Sequence, residues 1–290
     1  MKTKRNPIQI WLLSVAVMLI ATCGQGENLF VADNGSGNIY EFTPGGVMSM
    51  FASGLAGPAG LAFDGMGNLF LADEYSGNIT KITPAGVQST FAYGLFDPFG
   101  LAFNSAGNLF VASSITGNIY EFTPGGVRST FASGFSPNEL AFNSAGNLFV
   151  ANGGNAGPGN IIEFAPNGTH STFASGFSAY PLYGLAFDGA GNLFVGDTDE
   201  NIIKITPGGV TSTFASGVAE PVGLAFDSAG NLFAADVNTG NITEITPGGV
   251  QSTFVSGLNQ PIGLAFQPVP EPSALGLLAI STTALLACRR

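Results

Sequence analysis

The chain has 290 residues, 45% apolar and only 9% charged, with 42 glycines, 25 phenylalanines and a formal net charge of −11. Between Glu27 and Phe266, 18 acidic residues face only Lys81, Arg128 and Lys204. With no basic patch to neutralise phosphates, nucleic acid is excluded as a partner. The two cysteines, Cys23 and Cys288, lie in terminal apolar segments, so a disulfide framework, a Cys-ligated zinc or a thiol nucleophile is excluded between them.

The N-terminus sets Lys2, Lys4 and Arg5 before an apolar run from Ile8 to Ala21. That is the order of a secretory signal, expected over residues 1–26. A membrane anchor is the alternative reading, although the run is shorter than the roughly 20 residues a span needs. Ile20-Ala21-Thr22-Cys23 loosely resembles a lipoprotein cleavage box, with Thr22 poorly suited to its place, so ordinary cleavage is the favoured outcome.

From there the chain repeats itself. Asn-Leu-Phe recurs at Asn28, Asn68, Asn108, Asn147, Asn192 and Asn231, and Leu-Ala-Phe at Leu61, Leu101, Leu140, Leu185, Leu224 and Leu264. Between them come Asn-Ile pairs and a phenylalanine in a Ser/Thr context, making four short apolar runs per copy of about 40 residues. That period belongs to a propeller blade of four strands. We label the strands a (Gly-Leu-Ala-Phe), b (Asn-Leu-Phe-Val-Ala), c (Asn-Ile-Tyr-Glu-Phe) and d (Ser-Thr-Phe-Ala). The array opens on strand b at Asn28 and closes on strand a at Phe266. Six complete blades therefore form only if the last strand joins the first three, which also removes the open sheet edge. The expected fold is an all-β, six-bladed propeller over residues 27–267, with short apolar helical segments at both termini.

In such blades the a–b and c–d turns share one face, which is monotonous here, and the b–c and d–a loops share the other, where the copies differ. One departure concerns strand a. Five blades begin it with Gly60, Gly100, Gly184, Gly223 and Gly263, and the fourth begins it with Glu139, preceded by Asn138. A carboxylate there would project towards the axis, either simply solvated or anchoring a cation or a sugar hydroxyl. Around the same mouth the d–a loops place Asp97, Tyr180, Tyr183 and Glu220 as candidate ligand-binding residues. Asp33, Asp73, Asp197 and Asp236 end strands b, with Ser113 and Asn152 equivalent, and suit capping of their own turns. Asp197-x-Asp199-x-Asn201 has the alternation of a calcium loop without the downstream Gly and Glu that would complete it. The only histidine, His170, falls in a c–d turn, so no catalytic residue is assigned. Lys81, Arg128 and Lys204 read as isolated surface residues.

Residues 268–290 carry Val269-Pro270-Glu271-Pro272-Ser273, an apolar run from Ala274 to Ala287, and Cys288-Arg289-Arg290. This tripartite tail resembles the PEP-CTERM sorting signal, with Pro270, Glu271 and Pro272 as its motif; an ordinary tail anchor is the alternative. The resemblance implies processing by an exosortase during secretion and transient inner-membrane association through the apolar run. It also implies a destination at the cell surface or extracellular matrix of a Gram-negative, polysaccharide-exporting bacterium. The terminal arginines fit a cytoplasmic end.

The strings Pro-x-Gly-Leu-Ala-Phe-Asp, Gly-Asn-Leu-Phe-Val-Ala-Asp and Gly-Asn-Ile-x-x-Phe/Ile-Thr-Pro resemble the NHL group of propellers and the wider gluconolactonase-like six-bladed class. The gluconolactonase-like family holds calcium in its channel with a Glu, two Asn and an Asp. Here Asn138 and Glu139 alone stand at the start of a strand a. The expected function is therefore an exported surface or matrix module that binds extracellular polysaccharide or a surface protein and needs no cofactor. A calcium-dependent lactonase or hydrolase is the alternative.

Overall fold

The computed structural model describes residues 26–153, 159–177 and 181–268. The apolar helical segments expected at the two ends lie outside these residues, as do Tyr180, Pro270, Glu271 and Pro272. Within them the chain forms six four-stranded antiparallel sheets, and the described residues contain no helix. Five blades run a-b-c-d along the chain. The first takes strands b to d from Leu29–Asp33, Asn38–Phe42 and Met48–Ala52 and borrows strand a from Pro261–Phe266. Leu29 pairs with Phe266 and Val31 with Leu264, so the ring is closed by the last strand.

Burial follows from the stacking of blades. Strands b such as Leu29–Asp33 and Leu69–Asp73 are buried at every position because a neighbouring blade covers either face, and in Leu148–Asn152 the last residue alone is partly exposed. Strand d shows water its first three residues, as the Ser/Thr-rich sequence demands. Three phenylalanines per repeat build the seam between blades. Phe30 of strand b meets Phe51 of its own strand d edge-to-face at 4.8 Å, and Phe63 of the next blade's strand a at 5.1 Å. The same triad recurs around the ring, and its last copy joins Phe233 to Phe254 and to Phe266 of the closing strand. Each such pair contributes about 0.5–1.5 kcal/mol beyond the area it buries.

One sequence expectation is corrected here: Lys81 and Lys204 are not isolated. The Lys81 ammonium lies 3.9 Å from Asp64 of the a–b turn and over the Phe70 ring; Lys204 repeats the arrangement with Asp188 and Phe194. Their aliphatic stems lie along the blade while the charge reaches the turn. Where strand c carries Glu121 or Glu163 instead, the carboxylate accepts 2.7 Å hydrogen bonds from Asn108 and Asn147, and the turn has Asn104 or Asn143 in place of aspartate. Arg128 is not isolated either: it lies over the Tyr120 ring.

Candidate functional site

The innermost strands, among them Pro58–Phe63, Pro98–Phe103 and Pro137–Phe142, converge on the axis and line a cavity of about 100 Å³. Its wall is made of the repeat's Gly-Leu pair: Gly60 and Leu61, Gly223 and Leu224, Gly263 and Leu264. Glycine is required there by crowding. A Cβ on Gly60 would stand 2.1 Å from the Phe99 carbonyl oxygen, and one on Gly263 would stand 2.0 Å from that of Ala59. The cavity has room for a few waters, and is well below the roughly 300–1,000 Å³ of small-molecule sites.

Glu139 breaks the glycine ring and is the one side-chain carboxyl in the cavity wall. Its Oε1 accepts a 3.1 Å hydrogen bond from the Leu140 N–H and lies over Gly100, where a Cβ would be only 2.7 Å away. Burial pushes its pKa up to about 8, against the opposing pull of the Leu140 and Leu101 N–H groups, so it is protonated at neutral pH. The side chain keeps some accessible surface, but that surface faces the enclosed axis. In its protonated form this carboxyl can both donate and accept a hydrogen bond. Calcium takes six to eight oxygen ligands, and among the described residues the side chains lining the cavity supply a single carboxyl. The residues present do not suit that ion.

The other candidates separate. Asn138 turns away from the axis, its amide donating 2.9 Å to the buried Leu182 carbonyl of the next blade. Tyr183, on the inner strand Leu182–Phe187, brings its ring 6.2 Å from that of Phe99. Phe99 was not singled out from the sequence. It occupies the place before the strand-a glycine that Asn138 and Tyr183 hold in their blades, and that equivalence was the available signal. Glu220 is half-buried in a left-handed loop position (φ 52°) and accepts 2.8 Å from Asn238. Asp97, also left-handed (φ 53°), accepts 2.8 Å from the Ser114 hydroxyl and shares a side-chain hydrogen bond with Glu74. Burial, then the charge of Asp97, raises the Glu74 carboxyl above its ordinary value. Asn34 reaches the same Glu74 oxygen pair at 3.4 Å, so loops of three successive blades join in one polar network.

The residues ending strands b tie loops together. Asp33 accepts 2.8 Å from the Asn259 N–H, Asp73 accepts 3.0 Å from Ala56, and Asn152 accepts 2.7 Å from Ser136. Burial pushes the Asp33 carboxyl up, opposed by its bonds from Ser36 and Asn259. Asp197 spends one oxygen on the N–H groups of Asp199 (3.0 Å) and Asn201 (2.9 Å), so the calcium-like spacing closes its own turn.

Four exposed apolar residues stand on the loops of this network: Tyr75 (69% exposed), Phe96 (66%) and Ile115 (73%), neighbours in sequence of Glu74, Asp97 and Ser114, and Tyr93 (78%), which opens the same d–a loop as Phe96. Among the described residues, the large exposed apolar side chains of the b–c and d–a loops are confined to the second and third blades and the loop between them.

No protein-family model matches the chain, and none of the curated proteins matches it. Solved structures do. A chain of a nidogen/laminin complex superposes with a TM-score of 0.77 at 19% identity, over 85% of this chain and 100% of that one. A gluconolactonase from Xanthomonas campestris gives 0.67 at 13% identity, covering 85% and 94%. A catalytically inactive histidine-to-alanine virginiamycin B lyase from Staphylococcus aureus, solved with quinupristin, gives 0.62 at 16%, covering 84% and 92%. The chain is thus a six-bladed β-propeller with structural neighbours of the NHL and gluconolactonase type. At these identities the fold is what is shared.

Proposed function

We propose that this chain is an exported binding propeller that docks a partner on the face built by its b–c and d–a loops, and that it is not an enzyme. The observation that carries this reading is the asymmetry of that face. Tyr75, Phe96 and Ile115 are each exposed on loops that one polar network joins, while the axial cavity offers one carboxyl and space for a few waters. Exposed apolar side chains gathered on one part of a face mark an interaction site. The lyase neighbour is inactivated by loss of a histidine. Here His170 lies on an outermost strand, its ring 5.3 Å from Phe135 and 5.0 Å from Phe164. The nidogen/laminin neighbour, a propeller solved in complex with another protein, supports a binding role. The signal-like leader and the sorting-signal tail of the sequence support delivery to the cell surface or matrix, with exosortase as the processing partner.

The test presents the full chain to an array of bacterial polysaccharides and to surface proteins of a polysaccharide-exporting bacterium. Binding lost in Phe96→Ser and kept in Val127→Ser supports the reading. Hydrolytic activity abolished by Glu139→Gln, with no binding, overturns it and favours the lactonase alternative.

A further inference from the structure

We infer that the partner at the Tyr75–Phe96–Ile115 patch is a basic segment of another protein, carrying Lys or Arg beside apolar side chains. The inference rests on the binding reading above and names its partner class.

The argument is one of charge complementarity. The loops of this face carry Glu74, Asp97, Asp199, Glu200 and Glu220, and among the described residues no lysine, arginine or histidine. The cations of the described propeller sit elsewhere. Lys81 and Lys204 pair with Asp64 and Asp188 of the opposite face, and Arg128 and His170 begin outer strands next to c–d turns. An anionic polysaccharide or a phosphate-bearing ligand would therefore meet like charge across the whole face. Tyr75 and Phe96 are the chain neighbours of Glu74 and Asp97, whose carboxyls share a hydrogen bond. A guanidinium or ammonium there would gain two acceptors and a cation–π surface at once. Ile115 extends the patch with an aliphatic side chain, which suits an apolar neighbour of the basic residue. The platform is held in place: Ser113 donates to the Phe96 carbonyl, Ser114 to Asp97 at 2.8 Å, and Tyr75 covers Gly57, where a Cβ would meet its ring at 2.7 Å. A preorganised surface of this kind loses little entropy on binding.

The probe is a short fluorescein-labelled peptide alternating arginine and leucine, titrated with the full chain and followed by anisotropy. Its companions are an arginine-to-glutamate version, a neutral dextran and an anionic alginate. We expect the basic peptide alone to bind, weakening several-fold between about 0.05 and 0.5 M salt. Tyr75→Ser with Phe96→Ser should cost about tenfold or more, as loss of central aromatic anchors does. Glu74→Gln, which keeps the shape, should lower affinity and flatten the salt dependence. Val127→Ser with Val210→Ser on the opposite face should change nothing. Each variant's melting temperature is compared with that of the parent, so a misfolded protein is recognised. Basic-peptide binding equal in both double variants overturns the inference, because it would be diffuse attraction to an acidic domain. Patch-dependent binding of dextran or alginate overturns the partner class while the binding reading stands. Self-association by sedimentation that Phe96→Ser abolishes also overturns it, in favour of a second copy of the chain. No binding by any probe, together with an empty array, sinks both.

Discussion

The carboxyl of Glu139 occupies the space above Gly100. A Cβ on Gly100 would lie 2.7 Å from Oε1 of Glu139, 2.7 Å from its Cα and 2.6 Å from the Asn138 carbonyl oxygen. Two of those atoms are backbone, so rotating the glutamate side chain cannot make room. Gly100→Ala should destabilise the propeller by about 1–3 kcal/mol, the usual cost of overpacking. Gly65→Ala, in an a–b turn where nothing stands within 4 Å, is the control and should change stability little. Thermal melts of the two variants decide it, and equal midpoints would contradict the crowding argument.

Glu139 also sets a pH dependence. Its pKa rises in the folded state from an ordinary 4.5 to about 8. Below the unfolded value both states are protonated and nothing is lost. As pH climbs from there to about 8 the unfolded state ionises first, so stability falls across that window and then levels. The ceiling is about 5 kcal/mol at roughly 1.36 kcal/mol per unit, and water at the axis lowers what is realised. Glu139→Gln should therefore melt roughly 2–8 °C above the parent near pH 8, a realised gain of about 1–2 kcal/mol. The difference should vanish near pH 4. A constant difference at all pH values would show that packing, not ionisation, is responsible. The raised carboxyls of Asp33 and Glu74 act in the same direction.

Strand c and the a–b turn vary together from blade to blade. Aspartate in the turn accompanies lysine on the strand (Asp64 with Lys81, Asp188 with Lys204), and asparagine accompanies glutamate (Asn104 with Glu121, Asn143 with Glu163). Lys81→Glu should cost about 0.5–1 kcal/mol, the scale of a partly exposed pair, and adding Asp64→Asn should recover most of it. The sixth blade breaks the rule with Asp227 and Glu244. Glu244→Lys should stabilise by a similar amount, as measured by denaturant midpoint.

Calcium provides a fourth test. A native-state ligand at about 100 times its dissociation constant adds roughly 2.7 kcal/mol, which in a domain of this size raises the melting midpoint by about 5–10 °C. With a single carboxyl lining the axial cavity and Asp197 committed to its own turn, we expect melts of the full chain in calcium and in chelator to coincide. A shift abolished by Glu139→Gln would revive the hydrolase alternative.

The repeat made the architecture readable before any coordinates. Phe30, Phe51 and Phe63 stand at fixed offsets, and the chain's opening on strand b forced the ring to close through Pro261–Phe266. Glu139 was legible as an exception to a glycine, and its place at the axis followed from strand order. Its acidity was not legible, because that depends on how tightly six strands enclose the cavity. Phe99 escaped notice because a phenylalanine before glycine resembles the seam phenylalanines, and only the meeting with Tyr183 across the intervening blade sets it apart. Asp97 and Glu220 were grouped by loop position, yet their partners, Ser114 and Asn238, belong to different blades. Lys81 was misread because its partner Asp64 lies 17 positions earlier, on a turn that folds back beside it.

Closure of the ring through Pro261–Phe266 has a kinetic meaning as well. Strands Leu29–Asp33, Asn38–Phe42 and Met48–Ala52 emerge first and must wait for the whole remaining propeller before their fourth partner exists. Such long-range pairing is slow, because the loop is closed before its contacts reward it. In the interval the innermost edge of Leu29–Asp33 offers unpaired N–H and C=O groups to any passing strand. The completed joint places the Gln267 N–H 2.9 Å from the Asn28 carbonyl, so the two ends of the propeller lie side by side. A circular permutant that joins those ends and opens an a–b turn elsewhere would keep every blade while moving the seam, letting the site of the slowest step be chosen at will.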